Sequence, residues 1–258
     1  MVDTVDLELE FLERSTVDNQ IDNLIAMLKL HPEITRIRVY TNLNGLSNNM
    51  FVRSNRLCLL GCERNRRYAL EKLKELAREL PNHPNVTTFE LYTMEADDEL
   101  VETLSNNEAL TSLGLRCCNL SKAAVLLLAN NTRLKELDIG YNDEADAFIE
   151  QFSHHQRPRL EKLDLTNCYI CDVESVRLLA NMRLKSLYLN QNRISPDGFS
   201  YLQNAPFLGK VDLDFAPASG GYENVTLVDK KPTTQTSYFA PRYMLFTRSE
   251  PQKSPANN

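Results

Sequence analysis

The sequence predicts an α/β solenoid in which short parallel strands line a concave face and helices line a convex face. One pattern recurs along the chain: apolar residues at positions 1, 4, 6 and 11 of a unit, with Asn or Cys at position 9. The best-fitting units start at Leu110, Leu160 and Leu184, so that 24 residues separate the last two starts. A proline stands two residues before the first position in four units, at Pro32, Pro84, Pro158 and Pro206.

Each position of the unit has a physical reason. Apolar residues at positions 4 and 6 are two apart, so they point to the same side of a strand. The Asn or Cys at position 9 can satisfy buried backbone groups where the chain leaves the strand. Proline marks the end of the helix that returns the chain. One unit cannot bury its own apolar edge, so the units must stack.

Residues 1–33 are predicted to form an N-terminal cap of one strand and one helix. A helix is expected over Val17–Leu30, with Ser15 or Thr16 capping its start. Such a cap covers the apolar end of a solenoid. The strand is predicted from apolar residues that alternate with acidic ones, namely Val5, Leu7, Leu9 and Phe11.

Residues 34–216 are predicted to form the repeats. The second unit keeps Leu60 and Cys62 at its strand positions, followed by a helix over Tyr68–Leu80. The Asn-rich segment 43–56 has no helical pattern, and Ala216 stands where the last unit should have Asn. The eight units start at Ile34, Leu57, Val86, Leu110, Leu134, Leu160, Leu184 and Leu208.

Composition changes after residue 216. Five of the eleven prolines lie between Pro217 and Pro255, and the segments ENVTLVD and YMLFTRS have strand character. We expect residues 217–248 to form a C-terminal cap and residues 249–258 to form a disordered tail.

On these residues the chain resembles the leucine-rich repeat family, whose fold is a horseshoe. Two segments resemble the helical halves of repeats of the ribonuclease-inhibitor-like class. They are SKAAVLLLANNTRL, after Leu120, and SPDGFSYLQNAPFL, after Ile194, which includes Gly198. The 24-residue unit is similar to repeats in effector proteins that intracellular bacterial pathogens deliver into host cells. The resemblance implies a concave face that binds another protein.

Charge and hydropathy limit the kinds of partner and the cellular location that we expect for the chain. The net charge of −6 and the pI of about 5.4 argue against a nucleic-acid or anionic-membrane partner. The N-terminus has no apolar signal region, and the longest apolar run, Ala123–Ala129, is too short to span a bilayer. We therefore expect a cytoplasmic protein with free thiols that is monomeric when unbound, or one in the host cytosol if it is a secreted effector.

The candidate binding site is an acidic and aromatic part of the concave face on the last four strands. Like charges on neighbouring strands repel, so Lys162, Lys210 or a partner must offset the carboxylates. Aromatic residues beside charges are typical of interface centres, although any solvent-facing sheet position can be polar simply for solvation. The predicted site comprises Glu136, Asp138, Tyr141, Asp164, Tyr188, Asn190, Asp212, Asp214 and Phe215.

No motif predicts catalysis, a cofactor or a metal. Cys168 and Cys171 form C-x-x-C, but Cys168 occupies the structural position 9, and no second pair completes a zinc site. His31 and His83 each precede a repeat-marking proline, so they are interpreted as equivalent structural positions. No glycine-rich phosphate loop is present, and the basic run ERNRR is interpreted as a solvated edge rather than a nucleic-acid site.

Two functions follow as hypotheses. The first is a non-catalytic module that binds, and inhibits or regulates, a partner protein or enzyme through the concave face. The second is a GTPase-activating or scaffold protein acting on a host signalling factor, for which exposed Arg38 or Arg116 would supply the catalytic group. A ligase is not expected, because the segment after Ala216 is too short for the catalytic domain that such effectors carry.

Overall fold

The computed structural model describes residues 4–9, 14–41, 63–154, 159–213 and 244–247. These form one sheet whose strand order follows the chain order. The strands are β1 (Thr4–Leu9), β2 (Arg36–Thr41), β3 (Thr88–Tyr92), β4 (Ser112–Arg116), β5 (Glu136–Asp138), β6 (Lys162–Asp164), β7 (Ser186–Tyr188), β8 (Lys210–Leu213) and β9 (Met244–Thr247). Strands β1 to β8 are parallel, and β9 pairs antiparallel with β8.

Helices alternate with the parallel strands. They are α1 (Arg14–Leu30), α2 (Glu63–Glu79), α3 (Asp98–Asn106), α4 (Lys122–Ala129), α5 (Ala145–Ser153), α6 (Val173–Ala180) and α7 (Pro196–Gln203), and a short 3-10 turn, Leu80–Asn82, follows α2. Strands stack about 4.8 Å apart and packed helices about 8–10 Å apart, so the sheet lies on the shorter, concave side. The fold is an α/β leucine-rich repeat solenoid, as the apolar pattern predicts.

The core lies between the sheet and the helices, where the repeating apolar positions meet. Positions 4 and 6 are almost fully buried, as in Leu113, Leu115, Leu163 and Leu165, each at most 1% exposed. One continuous apolar cluster runs from α1 to β8. Each unit therefore completes the core of its neighbour, which is the physical reason that the units stack.

A ladder of position-9 side chains connects each unit to the previous one. Asn142 accepts hydrogen bonds from the backbone N–H groups of Cys118 and Leu120, both at 3.1 Å, and donates to the carbonyl of Leu115 at 2.8 Å. Asn192 makes the equivalent bonds to the unit before it, beginning with the N–H of Cys168 at 3.0 Å. We call these residues, with Cys118 and Cys168, the turn ladder.

The residue at position 8 of the unit adopts a left-handed backbone in the units from Val86 to Leu184. This conformation turns the chain away from the sheet in five successive units, although none of these residues is glycine. The five are Thr93, Cys117, Tyr141, Asn167 and Gln191, with φ between 52° and 61°.

Four helices begin with the same capping bond. The side chains of Asp97, Ser121, Asp172 and Ser195 each accept a hydrogen bond from the backbone N–H three residues later. In α7, a Cβ on Gly198 would approach Cγ2 of Ile194 to 3.2 Å, so this glycine allows the close packing of the helix.

The structure corrects the prediction for the unit at Leu57. Strand β2 pairs directly with β3, with Arg36 opposite Thr88, so no strand lies between them. Helix α2 begins at Glu63, before the predicted start at Tyr68, whereas residues 57–62 lie outside the described residues. The units at Ile34 and Val86 are therefore neighbours in the sheet, separated in sequence by an insertion.

The structure describes part of each end of the solenoid. Helix α1 begins at Arg14, before Ser15 and Thr16, so the predicted cap residues lie within the helix. Strand β9 lies inside the segment YMLFTRS, whereas ENVTLVD and the predicted tail lie outside the described residues. Within the described ranges, no helix combines the length and apolar character needed to cross a bilayer.

The concave face as a candidate binding site

The outward positions of the strands form rows across the concave face, which we define as positions 3, 5 and 7 of each unit. In the pairing register, equivalent positions of neighbouring strands lie opposite each other from β2 to β8. The central row is Arg38, Glu90, Gly114, Asp138, Asp164, Tyr188 and Asp212.

The centre of this face is a cluster in which one arginine bridges two aspartates. Nη1 of Arg116 lies 3.2 Å from Oδ2 of Asp138 and 3.1 Å from Oδ2 of Asp164. The inner oxygen of each carboxylate is fixed by backbone, since Oδ1 of Asp138 accepts from the N–H of Gly140 at 2.9 Å and Oδ1 of Asp164 from the N–H of Thr166 at 2.8 Å. The cluster is therefore held in place before any partner arrives.

The carboxylates outnumber the guanidinium in this cluster. Burial and the neighbouring charge of Asp164 raise the pKa of Asp138 to about 6. Gly140 leaves the space for the guanidinium, because a Cβ there would lie 2.9 Å from Nη1 of Arg116. Arg116 and Gly140 were not among the predicted site residues, although their neighbouring places in one row of the face could have indicated the contact.

Tyrosines border the cluster on two sides. The guanidinium of Arg116 lies 4.7 Å from the ring centroid of Tyr141, whose hydroxyl donates to Oε1 of Gln191 at 3.0 Å. On the other side, burial and the carboxylates of Glu90 and Asp138 raise the pKa of Tyr92 to about 12. Tyr92 and Gln191 thus belong to the site although the sequence did not single them out.

Tyr188 lies between two lysines. The ammonium groups of Lys162 and Lys210 lie 5.7 Å and 5.3 Å from its ring centroid. Lys162 also faces Glu136 at 3.6 Å, and Lys210 faces Asp212 at 4.0 Å. The predicted carboxylates on these strands are therefore offset by the lysines themselves.

From β2 to β8, the described positions of the face carry five cationic and five anionic side chains. On β5 to β8, where the sequence predicts an acidic site, four of these side chains are anionic and two are cationic. The cations are Arg36, Arg38, Arg116, Lys162 and Lys210, and the anions are Glu90, Glu136, Asp138, Asp164 and Asp212.

Two predicted site residues are buried rather than open to solvent, and two others lie outside the described residues. Asn190 and Asp212 are buried, 8% and 4% exposed, and each has a side-chain oxygen without a hydrogen-bond partner. Asp214 and Phe215 lie outside the described residues. The accessible part of the predicted site is thus Glu136, Asp138, Tyr141, Asp164 and Tyr188.

Two of the described cysteines, Cys118 and Cys168, take structural places. Cys118 and Cys168 are buried in the turn ladder, and the Sγ of Cys168 lies 3.4 Å from the carbonyl oxygen of Ile139. Burial raises the pKa of the Cys168 thiol to about 12, which disfavours the reactive thiolate. Cys171 is an exposed free thiol, and no group of three or more metal-ligating side chains occurs within the described ranges.

Comparison with known proteins adds a likeness of fold. No model of a known protein family matches the chain, and no curated protein matches it. Among solved structures, an internalin of Listeria monocytogenes is 16% identical, with a TM-score of 0.41 over 74% of this chain and 43% of that one. Toll from Drosophila, solved in complex with Spätzle, is 15% identical, with a TM-score of 0.37 over 81% of this chain and 30% of that one. The chain thus spans less than half the length of either.

Proposed function

We propose that this chain is a non-catalytic module that binds another protein through its concave face. The observation that carries the proposal is the cluster of Arg116, Asp138 and Asp164, whose side chains are fixed by each other and by backbone N–H groups. A preformed surface loses little conformational entropy when it docks, which favours tight binding. Tyr141 and Tyr188 supply the aromatic contact area that interface centres use.

The finer proposal is that binding inhibits or regulates the partner, as in the ribonuclease-inhibitor-like class that the repeats resemble. One setting for this activity is that of a bacterial effector in the host cytosol. We propose that the chain is cytoplasmic and is a monomer until it binds its partner. Because the described face carries both signs, with more anions than cations on β5 to β8, the partner should present both signs, with its basic part opposite those strands. We propose neither a nucleic-acid nor a membrane partner, since the chain carries a net charge of −6.

The GTPase-activating alternative is less well supported. It requires an arginine that is free to enter a partner's active site. Arg116 is bound to two aspartates, and Arg38 faces Glu90 with 3.6 Å between Nε and Oε2. The scaffold alternative uses the same binding face and is distinguished only by what the partner does.

An affinity experiment tests the binding face. The natural chain and a Tyr141→Ala/Tyr188→Ala variant would be immobilised, and proteins retained from host-cell and bacterial lysates identified by mass spectrometry. The matched control is Tyr201→Ala, because Tyr201 is 43% exposed on helix α7, on the opposite side of the solenoid. Truncating two central aromatic residues should weaken binding at least tenfold, whereas the control should bind like the natural chain.

The affinity of each retained protein would then be measured by calorimetry with all three chains. A partner lost only by the double variant supports the concave face. A partner that binds all three chains equally would contradict that location, and a partner lost only by Tyr201→Ala would move the site to the helices.

A further inference from the structure

Cationic side chains line the edge of the sheet where the chain enters β5, β6 and β7, opposite the turn ladder. They occupy two places in each of these three units, the residue before position 1 and the residue at position 2. The places lie side by side, because the backbone N–H of Glu161 donates to the carbonyl of Lys135 and that of Lys185 to the carbonyl of Glu161, both at 2.7 Å. We call this set the basic edge, and its members are Arg133, Lys135, Arg159, Glu161, Arg183 and Lys185.

The repeat does not require charge at these places. In the preceding unit they hold Ala109 and Thr111, yet the same backbone bond forms, from the N–H of Lys135 to the carbonyl of Thr111 at 2.8 Å. The basic edge carries five cations and one anion in a chain whose net charge is −6, so all other residues together carry −10. Solvated surfaces usually mix the two signs, whereas a strip of one sign attracts an oppositely charged partner.

Two arginines at the centre of the edge are accessible to a partner. Arg159 and Arg183 are exposed, and neither forms an ion pair with a carboxylate of the residues that the structure describes. The one anion of the edge, Glu161, is already shared. Nζ of Lys185 lies 2.7 Å from its Oε2, and this hydrogen bond, with the charge of nearby Lys135, keeps the pKa of the Glu161 carboxyl below its ordinary value.

An aromatic side chain extends the edge by one unit. Phe207 occupies the place before position 1 in the unit of β8 and is 50% exposed. The guanidinium of Arg183 lies 4.6 Å from its ring centroid. Arginine and aromatic side chains are enriched where interfaces are strongest. The ring therefore offers contact area to an apolar group that accompanies the anionic ones.

The dimensions of the edge limit the size of a partner. Neighbouring strands are about 4.8 Å apart, so Arg133 to Arg183 spans about 10 Å and Phe207 adds about 5 Å. An extended peptide rises about 3.3 Å per residue, so about five residues cover this length. A long polyanion or a membrane would pass beyond the edge and come within about 8 Å, one Debye length, of a remainder that carries −10.

We propose that the basic edge binds a short acidic peptide segment of another protein, with carboxylates on Arg159 and Arg183 and an apolar side chain on Phe207. Guanidinium groups bind carboxylates through paired, charge-assisted hydrogen bonds. The edge is a different surface from the concave face, so this interaction does not depend on the binding proposed there.

Fluorescence anisotropy of a labelled peptide tests the edge in the full chain. The probe is Glu-Glu-Asp-Glu-Phe with blocked ends, and its neutral counterpart is Gln-Gln-Asn-Gln-Phe. The acidic peptide should bind saturably, and the neutral one at least about tenfold more weakly. Affinity for the acidic peptide should fall as salt rises from about 50 to about 500 mM, because salt screens exposed charges.

Substitutions locate the binding. Arg159→Ala/Arg183→Ala should weaken binding of the acidic peptide about tenfold, because it removes two ionic contacts. The matched control, Lys122→Ala/Arg193→Ala, makes the same change in net charge at exposed residues near the starts of α4 and α7, and should bind within about twofold of the natural chain. Phe207→Ala should weaken binding about threefold.

Several outcomes would overturn the proposal. One is the absence of saturable binding up to about 1 mM acidic peptide, and another is equal affinity for the two peptides. Equal losses for the edge variant and its control would mean general charge attraction instead of a site. Tighter binding of a single-stranded oligothymidylate, lost in the same edge variant, would replace the peptide with a nucleic acid. If Arg159→Ala/Arg183→Ala fails to fold by circular dichroism, Arg159→Gln/Arg183→Gln takes its place.

Discussion

The turn ladder and the concave face are both rows of polar side chains repeated across the stack, yet they solve different problems. In the ladder, Asn142 is 2% exposed and every bond it makes is to backbone of its own or the preceding unit. On the face, Asp138 and Asp164 share one guanidinium and remain partly exposed. The ladder therefore stabilises the stack, whereas the face keeps charges that a partner can reach.

The ladder itself alternates between strong and weak members. Asn142 and Asn192 each hold two backbone N–H groups and at least two carbonyls. The side chains of Cys118 and Cys168 each contact the preceding unit through one thiol, 3.3 Å and 3.4 Å from the carbonyl oxygens of Leu91 and Ile139. A thiol is a weak donor, so we expect the asparagines to carry most of the stabilisation.

The largest effect is expected from Asn142→Ala. The change removes the partner of two buried N–H groups and of at least two carbonyls, which water cannot reach, so unfolding should become easier by about 3 kcal/mol. Urea denaturation followed by circular dichroism measures this loss.

Cys118→Ala is the matched control for that prediction, because it alters the neighbouring ladder position. It removes one weak bond and a small buried volume, so its cost should be about 1 kcal/mol. Equal losses for the two variants would show that the amide bonds are not what stabilises this turn.

A second and smaller effect concerns Asp138 and pH. A carboxyl group whose pKa is about 6 in the folded chain, against about 4 when unfolded, binds its proton more tightly in the folded state. Stability from this group is therefore present at pH 4 and is lost as the pH rises through 6. Asp138→Asn should not lose this stability, because the amide does not titrate. The free energy of unfolding of the variant, relative to that of the natural chain, should therefore rise by about 2 kcal/mol between pH 4 and pH 7.5.

The control for the pH effect is Glu136→Gln, on the same strand and 48% exposed at its side chain. It should change the pH profile little, because solvent screens an exposed pair. Parallel profiles for Asp138→Asn and the natural chain would show that the carboxylate is well compensated in the folded state.

The sequence predicts most of the fold because the pattern has a direct physical meaning. Burial on one side of a strand requires apolar residues two apart, and the predicted rows of the face follow from the same alternation. The prediction for the unit at Leu57 fails because β2 pairs directly with β3, which leaves no place for a strand between them in the sheet. Pairing between β2 and β3 is a contact between distant segments, which local spacing cannot reveal.

The site is less predictable than the rows that contain it. Which carboxylates stay accessible depends on side chains from other strands, and the contact of Arg116 with Asp164 spans 48 residues of sequence. The sequence likewise gives no sign that Asn190 and Asp212 are buried. Alternation along a strand determines to which side of the sheet a side chain points. The side chains of neighbouring strands determine how exposed it is and which charges surround it.

The smallest effect is expected where the face and the ladder meet, at Tyr141. Tyr141→Phe removes only the exposed hydroxyl bond to Gln191 and keeps the ring beside Arg116, so stability should change by less than about 0.5 kcal/mol. Tyr141→Ala also removes the ring and should cost about 1 kcal/mol. Phe and Ala both carry a Cβ, so both variants keep the same backbone strain at φ 61°. The difference between their free energies of unfolding therefore reports the contribution of the ring alone. A loss with Phe as large as that with Ala would mean that the hydroxyl, and not the ring, orders this part of the face.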